Sequence, residues 1–105
     1  MKLQEYFLIN LIEELSEVSQ AAAKMLRFTV HHQYEEYNKT NLQHFQTEFI
    51  DVLAIMQILA ATSDIKLDMD KDLLKKSVER KLEMLKHATT LGVVPVTELT
   101  NVATD

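Results

Sequence analysis

The stretch NLQHFQTEFIDVLAIMQILAA, residues 41–61, decides the fold. Its apolar residues Leu42, Phe45, Phe49, Ile50, Val52, Leu53, Ile55, Met56, Ile58 and Leu59 fall at helical spacing but wrap around most of the circumference instead of forming one stripe. A helix of that kind has to be covered from several sides. Two acids, Glu48 and Asp51, interrupt it, and acids are rarely set among apolar residues unless they are paired or neutralised. The stretch therefore predicts a central, buried helix. A chain of 105 residues has little else with which to cover it, so the expected fold is all-α, an antiparallel helical bundle completed by oligomerisation.

On the N-terminal side, Leu8, Leu11, Leu15, Val18, Ala22 and Met25 recur at steps of three and four, which predicts a helix from about Leu3 to Phe28 with those residues facing inward. Residues 29–39, TVHHQYEEYNK, lose the period and read as a loop, with Asn38 or Thr40 as the cap of the central helix. On the C-terminal side, Ser63 to Asp70 is a polar connection, and Asp68 or Asp70 caps a third helix from about Lys71 to Ala88, with Leu74, Val78, Leu82 and Leu85 inward. Gly92 and Pro95 end the helical part, and Val93 to Asp105 shows no helical period. The domain boundaries expected are residues 1–88 for one helical domain and 89–105 for a C-terminal tail.

Composition agrees and narrows the function. One Gly, one Pro and no Cys leave little material for hairpin turns, disulfides or cysteine zinc sites, while 47% hydrophobic and 26% charged residues are globular values. The start has no signal-peptide pattern, and no stretch reads as a membrane span, so a cytoplasmic protein with no membrane partner is expected. A net charge of −5 argues against nucleic acid as a partner.

Where the acids sit carries more information than their number. Glu14 and Glu17 lie roughly 60° apart around the first helix, and Glu48 and Asp51 are related in the same way on the central one. Glu14 stands in line with Phe7 and Met25, and Glu48 among Val52, Ile55 and Leu59, so both point toward the bundle. Antiparallel packing brings the four together. Carboxylates so close raise one another's pKa values unless a cation intervenes. All-oxygen ligands favour Mg²⁺, with Mn²⁺ as a substitute, and Mg²⁺ commonly takes substrate phosphates as further ligands. A di-iron bundle needs Glu-x-x-His pairs, and no His stands three residues beyond any Glu.

These residues resemble the MazG-like all-α NTP pyrophosphohydrolases, whose pattern is EExxE followed by ExxD. The likeness covers residues 11–28, LIEELSEVSQAAAKMLRF, and 41–59, NLQHFQTEFIDVLAIMQIL, about half the chain, and is greatest to the short, phage-type, single-domain members. The resemblance implies that Glu14, Glu17, Glu48 and Asp51 bind Mg²⁺. It also implies cleavage of a nucleoside triphosphate between its α and β phosphates, giving a monophosphate and pyrophosphate. Lys24, Arg27, Phe28 and Asn41 match a Lys-x-x-Arg-Phe segment and an Asn ahead of ExxD, and Lys81 matches a downstream Lys. Thr29 stands where similar sequences often have Gly. Phosphoribosyl-ATP pyrophosphohydrolases share the bundle and carboxylates, and a noncatalytic metal-binding helical dimer is the alternative from another class.

Beside the metal ligands, Glu13 or Glu17 is expected to orient or deprotonate the attacking water. Lys24, within roughly 20° of Glu17 around the helix, Arg27 and Lys81 are expected at phosphates. Asn41 and His44, on the Glu48 stripe, are candidates for contacting base or sugar. Phe28, Tyr34 and Tyr37 are candidates for closing over a base, His31 and His32 read as solvated, and the methionines as packing. A homodimer or homotetramer is the expected assembly.

Overall fold

Three helices form where the apolar periods place them: α1 (Leu3–Phe28), α2 (Asn41–Thr62) and α3 (Lys71–Thr90), followed by a 3₁₀ helix at Val96–Asn101. The computed structural model describes residues 1–34, 36 and 38–101. Among these there is no strand, only an isolated bridge between Gln33 and Thr40. The chain is all-α, as expected. The C-terminal segment differs from expectation, because Glu98 N–H donates to the Pro95 carbonyl at 3.0 Å and starts a short 3₁₀ turn where no helical period is visible.

The helix ends have local causes. Thr40 caps α2 through a reciprocal box: its hydroxyl accepts from Gln43 N–H at 3.1 Å, and the Gln43 side chain accepts from Thr40 N–H at 2.9 Å. Asp70 caps α3 by accepting from Asp72 N–H at 2.9 Å. Gly92, at φ +77°, ends α3: its N–H reaches the Thr89 carbonyl while Val93 N–H reaches that of Ala88. This is the paired closure that a left-handed residue permits.

The chain gathers into two compact units, Met1–Leu67 and Asp68–Asp105. The first contains the α1–α2 hairpin and every fully buried residue among those described: Ala21, Asn41, Val52, Ile55 and Leu59. In the second, α3 and the 3₁₀ helix bury no described residue completely; Leu82 and Leu85 are half-buried, whereas Leu74 and Val78 are exposed. One helix and one short turn have too little apolar surface for a core of their own.

Within the hairpin the helices run antiparallel, with the end of α1 tied to the start of α2. Asn41, Val52, Ile55 and Leu59 form the covered side of α2. On α1 the covered line is Phe7, Leu11, Glu14, Val18, Ala21 and Met25, so the inward face is turned from the one expected. Leu15 is 50% exposed and Ala22 is exposed, while Ala21 is fully buried. Its methyl lets the two backbones approach. The opposite side of α2 keeps Phe49, Ile50 and Leu53 at the surface, so its all-round apolar character is only partly used within this unit.

That character bears on the reading that no stretch has the length and composition of a membrane span. By length and composition α2, Asn41–Thr62, is apolar enough to cross one, with a mean hydropathy of 1.3 in its most apolar window. The reason is that its apolar residues are spread around the helix, so the average is high despite Glu48 and Asp51.

The hairpin register is held at its loop end. The Asn41 side chain, 4% exposed, donates from Nδ2 to the Thr29 carbonyl at 2.9 Å, while Asn41 N–H and Leu42 N–H donate to the carbonyls of His32 and Val30. Thr29 pays for this: at φ +79°, ψ 158° it occupies a region normally open only to Gly, at a cost of about 1–3 kcal/mol. Thr29→Gly is expected to stabilise the protein by about 1 kcal/mol, after allowing for the greater freedom of an unfolded Gly. Asn41→Ala is expected to destabilise it by about 1–3 kcal/mol, by orphaning the Thr29 carbonyl. Chemical denaturation of both variants checks the opposite signs.

Candidate metal centre and adjoining cavity

Midway along the hairpin, Glu14 and Glu17 of α1 face Glu48 of α2. Each offers one carboxylate oxygen, and these oxygens all lie within 4.8 Å of one another. Glu14 and Glu48 are half-buried in the α1–α2 seam, and Glu17 is exposed at its edge. One oxygen of Glu14 and one of Glu48, Oε2 in each, is buried without a hydrogen-bond partner. Such atoms are costly when nothing neutralises them. The remaining Glu48 oxygen is engaged: His44 Nε2, one turn earlier on α2, lies 3.2 Å from Oε1.

The electrostatics follow from this packing. Burial pushes the Glu14 carboxyl above its usual 4.5, and the charges of Glu17, Asp51 and Glu48 add to the rise. Burial is also the chief cause of the rise at Glu48; the neighbouring Glu17 carboxylate reinforces it, and His44 opposes it. Asp51 is exposed and stands outside the close group of three, yet near enough for its charge to act on both buried glutamates. Three carboxylate oxygens so close together form a group that could hold a metal ion.

Toward the loop lies a cavity of about 200 Å³ lined by Lys24, Tyr34, Lys39, Thr40, Asn41 and His44, the last of which also contacts Glu48. Tyr34 meets the edges of Phe28 and His32, with ring centroids 6.2 and 4.6 Å apart. Lys24, His44 and Asn41 thus come together as one wall. Asn41 does so while one N–H of its side-chain amide donates to the Thr29 carbonyl. Lys39 and Thr40 were not among the sequence candidates for binding, because a loop lysine and a helix cap carry no spacing signal. The His44–Glu48 contact had one: the two are four residues apart, the reverse of the Glu-to-His order that a di-iron site needs.

The other candidates lie elsewhere. Glu13 is exposed on the neighbouring face of α1 and lines a shallow groove with Met1, Tyr6, Ile9 and Asn10, apart from the carboxylate group. One residue along a helix is about 100° around it, and that rotation separates Glu13 from Glu14. Arg27 is exposed and sits over the Phe28 ring, 5.2 Å from its centroid. Lys81 is an exposed residue of α3, in the second unit. His31 and His32 are exposed, and Tyr37 lies outside the described residues.

Comparison of the chain with protein-family models, curated proteins and solved structures returns no match in any of the three. The reading of this site therefore rests on its own geometry.

Because the pKa values of Glu14 and Glu48 are raised, the folded chain retains protons that the unfolded chain releases above 4.5. The metal-free protein should therefore lose stability as pH rises through that window. Its melting temperature is expected to be higher near pH 5.5 than near pH 7.5, and Glu48→Gln is expected to flatten the difference. Mg²⁺ at about a hundredfold excess over its dissociation constant should restore about 2–3 kcal/mol at the higher pH, a gain that the same substitution removes. Calorimetric melts with Mg²⁺ and with EDTA check both.

Proposed function

We propose that this chain is a Mg²⁺-dependent nucleoside triphosphate pyrophosphohydrolase of MazG-like type, splitting its substrate between the α and β phosphates. The observation that carries the reading is the carboxylate group itself: Glu14, Glu17 and Glu48 within 4.8 Å, with two buried oxygens left unpartnered. Uncompensated acids in a helix seam are a standing cost, and a hydrolase that recruits cations with its substrate gives them a use.

In this reading Glu14 and Glu48 hold the cation from the seam, and Asp51 completes the negative field from the surface. His44 keeps Glu48 in one orientation through the 3.2 Å contact. Glu17, the exposed member of the group, is placed to accept a proton from the attacking water. Glu13 faces another groove and has no part in that step. When bound, Mg²⁺ offsets the charge of the phosphates and favours attack on the anhydride. Water adds across the α–β anhydride, the bridging P–O bond breaks, and pyrophosphate and a nucleoside monophosphate result. Lys24, half-buried beside the carboxylates, supplies positive charge toward the loop. The exposed apolar residues Phe49, Ile50 and Leu53 of α2 support assembly as a homodimer or homotetramer.

With a panel of ordinary and modified nucleoside triphosphates and Mg²⁺, pyrophosphate is the expected product. Glu48→Gln is expected to lower turnover by at least about a hundredfold, the scale on which such groups act, with helical circular dichroism retained. Inorganic phosphate as the product, or full activity in the variant, overturns the assignment.

A further inference from the structure

The hairpin has two unlike sides. On α1 the covered line runs through Phe7, Glu14, Val18 and Met25. At 100° per residue, Leu15 and Leu26 stand roughly 80–100° round from that line and Ile12 roughly 140°. On α2, Leu42, Phe49 and Leu53 stand roughly 80–120° round, in the same sense, from the line of Asn41 and Leu59. Because the helices run antiparallel, equal rotations in one sense carry both stripes to the same side of the pair. Glu17 and Asp51, with Lys24 and His44, are turned the other way by roughly 60–100°. The acids therefore open on one side of the hairpin, and a second apolar face lies on the other. The stripe that spacing alone placed inward on α1, through Leu8, Leu15 and Ala22, runs along that second face.

The second face is bare. Ile12, Leu15, Leu26, Leu42, Phe49 and Leu53 are 40–88% exposed. These six side chains present on the order of 600 Å² of apolar surface, at the top of what a single chain leaves open in one patch. A partner in a stable interface contributes about 800 Å², so the face is close to the size that self-association needs. It is also free of charge: between roughly 40° and 140° from the covered line, neither helix carries an acid or a base. A two-fold pairing sets each residue against its own copy or a near neighbour, where a charge would meet its like. A charged partner or an anionic lipid surface would find nothing there to pair with.

We propose that a second copy of this chain docks on this face, apolar side to apolar side, so that α1 and α2 of each copy form a bundle of four helices with both carboxylate groups turned outward. The pairing depends on the two stripes and not on what the carboxylates do, so absence of pyrophosphate from every nucleotide leaves it standing. Light scattering on the full chain as it leaves gel filtration is expected to give twice the mass of one chain or a multiple of that. Leu26→Glu, at the most exposed position of the face and so the mildest for the fold of one chain, is expected to lower the mass at least twofold, and Leu53→Glu likewise. Tyr6→Glu, at a position 55% exposed and roughly 100° round α1 toward the acids, is expected to leave the assembly intact. A second readout needs no variant: the melting temperature of the parent should rise with chain concentration, because dilution favours the separated copies. The mass of a single chain for the parent overturns the proposal, as does a melting temperature that ignores concentration. It is also overturned by an assembly that neither Leu26→Glu nor Leu53→Glu reduces, or that Tyr6→Glu reduces as far.

Discussion

The hydrogen bond from the Asn41 amide to the Thr29 carbonyl sets the register of the α1–α2 hairpin, and the site depends on that register. Sliding one helix by a residue would rotate its partner face by about 100°, taking Glu14 or Glu48 out of the seam. The bond is buried, and two backbone bonds from the start of α2 to His32 and Val30 reinforce it. Its geometry forces Thr29 to positive φ, an unfavourable conformation for a β-branched residue. Local strain and long-range alignment are thus two ends of one contact.

The same seam concentrates charge. Glu14, Glu17, Glu48 and Asp51 account for four of the five net negative charges of the chain, so the acidity read from composition belongs largely to one place. Burial and mutual repulsion raise the pKa values of the two inner glutamates, and the cost of keeping them ionised without a cation falls on the fold. Toward the loop the sign reverses, with two lysines and no described acid among the residues lining a cavity.

Much of this was legible in the sequence. The helix bounds follow from apolar spacing and capping residues, and the pairing of Glu14 with Glu48 followed from their places on two apolar stripes. What was misread has physical reasons. Leu15 and Ala22 were expected inward because a period alone leaves the stripe's centre uncertain, and the close approach at Ala21 turns α1 the other way. Glu13 was a candidate base through the EExxE pattern; the structure puts it on the neighbouring face of α1, one residue and about 100° from Glu14. Lys39 was not singled out because its place in the cavity lining depends on a loop whose path no periodicity records.

The sequence by itself determined an all-α chain, the three helical segments and two acid pairs at helical spacing, because these rest on interactions within a few residues of each other. Tertiary structure alone decided that three of the four acids come together, that one amide N–H of Asn41 clamps the loop, and that Lys24 and Lys39 line one cavity. Those outcomes depend on the packing of α1 against α2 and the path of the loop between them, distances that close only when the hairpin forms.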